Sequence, residues 1–205
     1  MSERAHPDDA GFKDRYIFEL KKGFFPWVKR YISPWKKEFD WRYKWVNQYC
    51  NGKEIIDIPC GMGWGTSFLT NAKCVIGIDI SEDAIQEANQ RYSNNKMKFL
   101  LGDMSNLNFD NESIDVISCL EGIEHVPKEV GILFINECFR ILKNGGLFLI
   151  SSPYCKTKIH SGNPFHIHEY QPKEILDILG QMFNIEITAE REVGVMNVLY
   201  IKCQK

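Results

Sequence analysis

Short unbroken apolar runs, spaced by stretches of helical periodicity, organise most of this chain. A run of that kind is apolar on both faces, as a strand inside a parallel sheet must be. The first lies in Glu54-Ile-Ile-Asp-Ile and breaks into glycines at Gly61, Gly63 and Gly65, with a helix predicted near Thr66 to Asn71. Cys74-Val-Ile-Gly-Ile-Asp79 reads as a second strand, and Ser81 as the N-cap of a helix over residues 82–93. Met97 to Asp103 and Ile114 to Leu120 are the third and fourth strands. Pro127 opens a helix to Lys143, stopped by Asn144-Gly145-Gly146. Leu147 to Ser152 is the fifth strand, a long segment runs from Pro153 to Tyr170, and a helix covers about Pro172 to Met182. Two strands near Asn184–Ala189 and Asn197–Cys203 close the chain.

Strands alternating with helices predict a doubly wound parallel sheet that binds ligands at the carboxyl ends of its strands. The final pair, with no helix between, predicts one antiparallel strand. At 205 residues the chain is read as one domain. Its first 50 residues differ from the rest: they hold eleven basic and seven acidic residues and 13 of the 26 aromatics. The whole chain carries a net charge of −2, which argues against a broad grip on nucleic acid. Seven cysteines without a C-x-x-C read as small buried hydrophobes in a reducing compartment. No apolar run reaches bilayer length and residues 1–9 lack a leader's apolar core, so a cytoplasmic protein is expected.

The glycine loop carries the chemistry. Its spacing is G-x-G-x-G, whereas a dinucleotide fingerprint places the third glycine one residue later, where Thr66 stands. Asp57, within the strand, suits a ligand with an amine and repels a pyrophosphate. S-adenosylmethionine has an ammonium, a sulfonium and no phosphate. The stretch Asp57 to Gly65 resembles motif I of the class I S-adenosylmethionine-dependent methyltransferases, with Pro59-Cys60 where Gly-Cys is common. The resemblance runs over roughly residues 40–205. It implies a Rossmann-like seven-stranded sheet with an antiparallel last strand, a core over residues 49–205 and N-terminal lid helices within 1–48.

It also implies site residues. Asp57 with the backbone at Gly61 and Gly63 would hold the methionine amine, and Arg42 its carboxylate. Asp79, followed by Ile80, would take both ribose hydroxyls, while Asp103 would accept from the adenine amine with Met104 packed beside the ring. Glu121-x-x-Glu124-His125 resembles the E-x-x-E-H of small-molecule members, where such residues bind cofactor, orient the acceptor or take its proton. Asn163-Pro-Phe-His-Ile-His-Glu-Tyr170 resembles a run in members from bacterial surface-polysaccharide pathways. Alternation along that segment lets one of His166 and His168 face the acceptor. Candidate catalytic residues are therefore His125, His166, His168 and Glu124. His125 is read equally as a structural cap for the next helix.

His160, His166, His168 and Glu169 offer metal-ligating atoms, but H-x-H alone is a weak signal and no metal is expected. The expected function is O-methylation of a sugar, sugar-nucleotide or similar polar acceptor, with S-adenosylhomocysteine as the other product. Quinone, amine and phosphate-bearing acceptors remain open, as do a catalytically silent binding module, a nicotinamide oxidoreductase, and monomer against homodimer. The aromatic-basic segment (Lys21, Lys22, Phe24, Phe25, Trp27, Lys29, Arg30, Trp35, Lys36, Lys37, Trp41, Trp45) is read as a lid, an acceptor surface or a membrane edge.

Overall fold

The computed structural model describes residues 15–20, 26–31, 34–193 and 196–205, with side chains from residue 37 onward. Lys21, Lys22, Phe24 and Phe25, the residues of the leader reading (1–9), and the side chains of Trp27, Lys29, Arg30, Trp35 and Lys36 lie outside the described residues. Where lid helices were expected, the chain forms an antiparallel pair, β1 (Arg15–Leu20) with β2 (Pro26–Tyr31), and then one helix, α1 (Pro34–Asn47). The described N-terminal residues thus form one helix preceded by an antiparallel strand pair.

The remaining strands are β3 (Glu54–Asp57), β4 (Cys74–Asp79), β5 (Met97–Leu101), β6 (Ile114–Leu120), β7 (Leu142–Tyr154), β8 (Asn184–Val193) and β9 (Met196–Gln204). They form one seven-stranded sheet in the order β5-β4-β3-β6-β7-β9-β8. Only β9 runs against its neighbours, antiparallel to both β7 and β8. This is the expected Rossmann-like α/β architecture. The order reverses between β3 and β6, which pair in parallel, and a ligand crevice belongs outside the carboxyl ends of those strands.

Helices cover both faces. On one side α1 and α2 (Glu82–Tyr92) bury Phe39, Tyr43, Trp45, Val46, Ile85 and Ala88 against Ile55, Val75, Val198 and Tyr200. On the other, α3 (Lys128–Ile141) and α4 (Pro172–Leu179) bury Phe134, Ile135, Cys138, Ile175 and Leu179 against Ile117, Phe148 and Ile201. The helix boundaries follow local chemistry. Ser81 Oγ accepts from Ala84 N, with Glu82 and Asp83 in the first turn, as a capped N-terminus requires. Pro172 sits at the start of α4, where its missing N–H costs nothing.

Two elements differ from the pattern-based expectation. The helix predicted over Thr66–Asn71 is one 3-10 turn, Thr66–Phe68, because Leu69 leaves helical dihedrals (φ −80°, ψ 50°) and buries its side chain. The stop at Asn144-Gly145-Gly146 falls within β7: α3 ends at Ile141 and Leu142 already pairs with Ile114. Gly145, at φ 77°, then turns the strand at an irregularity in its register.

α1 is docked by charge as well as by apolar area. Buried Glu38 accepts from Arg191 Nε at 2.7 Å and from the Tyr200 hydroxyl, and the Arg191 guanidinium lies 4.2 Å over Trp41. No helix among the described residues is long and apolar enough to cross a membrane.

Candidate active site

A cavity of about 560 Å³ opens at the carboxyl ends of β3, β4 and β6, under α1 and the 153–170 segment. Its walls bring together Arg42, Gly61, Asp79, Ile80, Glu121, Glu124, His125 and His166. Eight of the expected residues therefore share one space.

The loop is built on Asp57, which is 1% exposed. Its Oδ2 accepts from Thr66 Oγ1 at 2.7 Å and Tyr43 Oη at 3.3 Å, and Oδ1 from Ser118 Oγ at 2.7 Å. Burial pushes the carboxyl up, against the pull of those three hydroxyls. Asp57 lies behind the cavity wall rather than on it, and its carboxylate ties strand, loop and α1 together, so the expected contact with a methionine amine is not made by the cavity as it stands. Gly63 is likewise turned inward, where a Cβ would meet Phe99 at 2.8 Å and Ala88 at 2.9 Å. A Cβ on Gly61, at φ 54°, would meet nothing within 4 Å, and Gly61 faces the cavity.

Asp79 closes β4 and aims its carboxylate back at the loop. Oδ2 accepts from Gly61 N at 2.8 Å and Oδ1 from Ser81 N at 2.9 Å. Each oxygen keeps acceptor capacity for a ligand hydroxyl. Asp103 and Met104 do not reach this wall. Asp103 is exposed and holds its own turn through Ser105 N at 2.8 Å, and Met104 is buried in the core under α3. Their expected adenine contacts are not made by the cavity as it stands.

Glu121 adopts φ 52°, unusual for a residue with a Cβ and typical of strain held at a functional site. Ser151 fixes it from both sides: Glu121 N donates to Ser151 Oγ at 3.1 Å, and that hydroxyl donates to Glu121 Oε1 at 2.9 Å. Burial raises the Glu121 carboxyl, and the Arg42 guanidinium opposes the rise. Arg42 lies with its guanidinium carbon 4.6 Å over the Phe39 ring, and its Nε is buried with no acceptor among the described residues. A buried donor in that condition calls for an anion.

The helical turn expected at Glu121–His125 is a 3-10 turn, Ile123–His125. Glu124 is fully buried, and its carbonyl accepts from Ile167 N at 2.7 Å and His168 N at 3.1 Å, pinning the histidine segment to the turn. At its end, Tyr170 packs on α3, where a Cβ on Gly131 would stand 2.3 Å from the Tyr170 hydroxyl. The two segment histidines then part. His166 faces the cavity, while His168 turns away and bonds Glu174 Oε1 at 3.1 Å, with its ring edge-on to Tyr170 at 4.4 Å. The catalytic assignment of His168 is corrected on that ground.

His168 and Lys128, 2.6 Å from Glu174 Oε1, tie the segment to α3 and α4. Burial alone would raise the Glu174 carboxyl, yet hydrogen bonds from Lys128 and His168 lower it. A carboxyl lowered by folding adds stability above its ordinary range and loses it as pH falls through the folded value. Glu174→Gln is therefore expected to cost about 1 kcal/mol at neutral pH. The difference from wild type in urea midpoint should vanish as the medium drops below about pH 4.

The sequence reading missed several parts of the wall. Phe39 stacks on Trp64 at 4.4 Å and 7°, and Met196 and Val198 reach the cavity from β9. Strands so distant in sequence leave no signal near the loop. Glu169 holds the His166 ring, a role at which only the i, i+3 spacing in His166-Ile-His-Glu169 hints in the sequence.

Comparison with known proteins agrees with this picture. Residues 55–146 match the family model described as a methyltransferase domain. A Mycolicibacterium smegmatis protein named "Probable S-adenosylmethionine-dependent methyltransferase" is 29% identical over 150 residues, 71% of this chain and 57% of that protein. A Glaesserella parasuis protein named ubiquinone biosynthesis O-methyltransferase is 31% identical over 122 residues, 54% of this chain and 51% of its own length. This chain thus spans little more than half of either relative. The crystal structure of the YcgJ protein from Bacillus subtilis shares the fold at a TM-score of 0.71 and 14% identity, covering 81% of this chain and 98% of that one. The matched segment runs from β3 into β7 of the Rossmann-like sheet and is similar to a methyltransferase domain.

Proposed function

We propose that this chain is an S-adenosylmethionine-dependent methyltransferase that acts on a hydroxyl of a small polar molecule. One observation carries the reading: a single cavity holds the Asp79 carboxylate, the Arg42 Nε, which has no acceptor among the described residues, and the Glu124–His125–His166 cluster. The donor set fits the cofactor. Asp79 suits a pair of ribose hydroxyls, Arg42 a carboxylate, and the open face of Gly61 a close backbone approach. Ile80, 73% exposed at the rim, offers an apolar edge. Asp103 and Met104 serve the adenine if their turn, tied to β4 through Gly102 N and Asp79 O at 3.0 Å, moves toward the cavity.

When bound, S-adenosylmethionine supplies an electrophilic methyl group and leaves as S-adenosylhomocysteine. Everything else is done by the chain. Arg42 and Asp79 fix the orientation of the donor, and fixed orientation contributes roughly 7–11 kcal/mol toward in-line transfer. His125, His166 and Glu124 form the group that activates the acceptor oxygen for loss of its proton. Phe39, Trp64, Phe165, Met196 and Val198 keep water from the reacting centre.

For the acceptor, a sugar or sugar-nucleotide, as in surface-polysaccharide synthesis, is favoured by the polar Asn163 and His166 on the wall. A quinone-type phenol is favoured by the apolar Phe165, Leu120 and Met196 beside them and by the relative named for ubiquinone biosynthesis. Seven free cysteines accord with a reducing, cytoplasmic setting.

Calorimetry with S-adenosylhomocysteine tests the first part: a micromolar Kd is expected, and no heat of binding overturns it. Radiolabelled methyl transfer to panels of sugars, sugar nucleotides and phenols chooses the acceptor. With that acceptor, His125→Ala or His166→Ala should lower turnover by about 10²–10⁴-fold while cofactor affinity stays put. Unchanged turnover removes that residue from the activating group.

A further inference from the structure

The tautomers of both cavity histidines can be read from their partners. His125 Nδ1 lies 3.0 Å from the Phe165 carbonyl oxygen. A carbonyl only accepts, so the neutral ring carries its proton on Nδ1 and its lone pair on Nε2. His166 Nδ1 lies 2.6 Å from Glu169 Oε1. Glu169 is itself held by Ser161, whose N donates to Oε2 at 2.7 Å and whose hydroxyl donates to Oε1. Both Glu169 oxygens thus act as acceptors, and Oε1 takes the His166 Nδ1 proton as a further hydrogen bond.

The other side of the His166 ring agrees. Its Nε2 faces Asn163 Nδ2 at 3.0 Å, and that amide cannot be flipped, because its Oδ1 accepts from Phe165 N at 3.0 Å. An amide N–H pointing at Nε2 requires a lone pair there. Both rings therefore present Nε2 lone pairs, and they stand edge to face, 5.2 Å apart at 79°. Glu124, 0% exposed, brings a carboxylate oxygen to 3.9 Å from His125 Nε2. One donor atom from each of the three lies within 4.8 Å of the others.

Two imidazoles with each Nδ1–H committed to an oxygen acceptor, converging with a buried carboxylate, are the ligand set and outer support of a divalent transition-metal site. We propose that Glu124, His125 and His166 bind one such ion, which then activates the acceptor oxygen. It departs from the sequence-based expectation of no metal. Mixed nitrogen and carboxylate donors favour zinc, iron(II), cobalt or manganese over magnesium and calcium, which take oxygen donors. The Asn163 amide yields its place on Nε2, and the three donors draw in to about 2.0–2.2 Å from the ion. Three protein ligands leave open positions toward the cavity, where a hydroxyl oxygen of the acceptor binds and loses its proton to water more readily. The role in transfer rests on the methyltransferase reading and commits the acceptor atom to oxygen; the ion site stands without it. His160 is not part of the set, since its Nε2 bonds the His166 carbonyl at 3.0 Å.

The full chain, stripped with EDTA and dialysed, is titrated with Zn²⁺ by calorimetry and with Co²⁺ by visible absorption. One equivalent is expected to bind with a Kd below about 10 μM. His125→Ala and His166→Ala should each weaken it at least 100-fold. Glu169→Gln, which touches no ion but holds the His166 ring, should weaken it about 10–100-fold with unchanged circular dichroism. Cobalt should give d–d bands without a thiolate charge-transfer band, which separates this site from the cysteines. No saturable 1:1 binding, a thiolate band, or wild-type affinity in the His125→Ala/His166→Ala variant overturns the proposal. S-adenosylhomocysteine affinity, measured on the same stripped sample, reports on the methyltransferase reading by itself.

Discussion

Asp79→Ala lowers the affinity for S-adenosylhomocysteine by about 10²–10⁴-fold, measured by calorimetry. The carboxylate already accepts from Gly61 N and Ser81 N, one bond to each oxygen. Its remaining lone pairs point to the cavity, matched to two adjacent ribose hydroxyls. A hydrogen bond to a charged group contributes about 1.5–3 kcal/mol, so losing two removes about 3–6 kcal/mol, or two to four decades. The same truncation frees Gly61 N, and the loop loses its hold on β4. Asp79→Asn separates the effects: it keeps the shape and one acceptor oxygen, and should fall between wild type and alanine. Wild-type affinity in Asp79→Ala would remove Asp79 from the cofactor site.

Gly65→Ala is expected to lower the melting temperature by about 5–15 °C, well beyond the loss for Gly61→Ala. A Cβ there would stand 2.1 Å from Tyr43 Cε2 and Cζ and 2.4 Å from its hydroxyl. The ring cannot stay. Moving it breaks the bond from Tyr43 to Asp57 and disturbs Phe39, whose ring lies 5.0 Å from Tyr43 and stacks on Trp64. Overpacking of this kind costs about 1–3 kcal/mol, and a weakened buried hydrogen bond adds about 1–2. In a chain of this length each kcal/mol moves the melting temperature by about 2–4 °C. Gly61→Ala is the contrast: open space around it leaves only the cost of φ 54°, about 1–2 kcal/mol. Equal losses in the two variants would refute the close approach of α1 to the loop.

Tyr43 and Gly65 also show where reading the chain stops. The glycines announce a ligand loop, but they do the work of three different neighbourhoods. Gly61 faces the cavity, Gly63 makes room for Phe99, and Gly65 makes room for a helix that precedes the sheet. Asp57 and Asp79 look alike in sequence, each an acid near the end of an apolar run. One is enclosed by three hydroxyls and the other opens on the cavity. The difference lies in Thr66, Ser118 and Tyr43, which only folding brings to Asp57.

Properties carried by short windows were legible in the chain. Strands buried on both faces need unbroken apolar runs, and a capped helix needs Ser81 followed by acids, so sheet, helices and the acid closing β4 follow from local patterning. Which face a residue shows was left to tertiary contact. His166 and His168 are equivalent in an extended segment until the Glu124 carbonyl pins the backbone and Glu174 takes one ring. The metal-ligand geometry arises the same way, because Glu124–His125 and His166 come from segments some forty residues apart, and only the packed fold sets their distances.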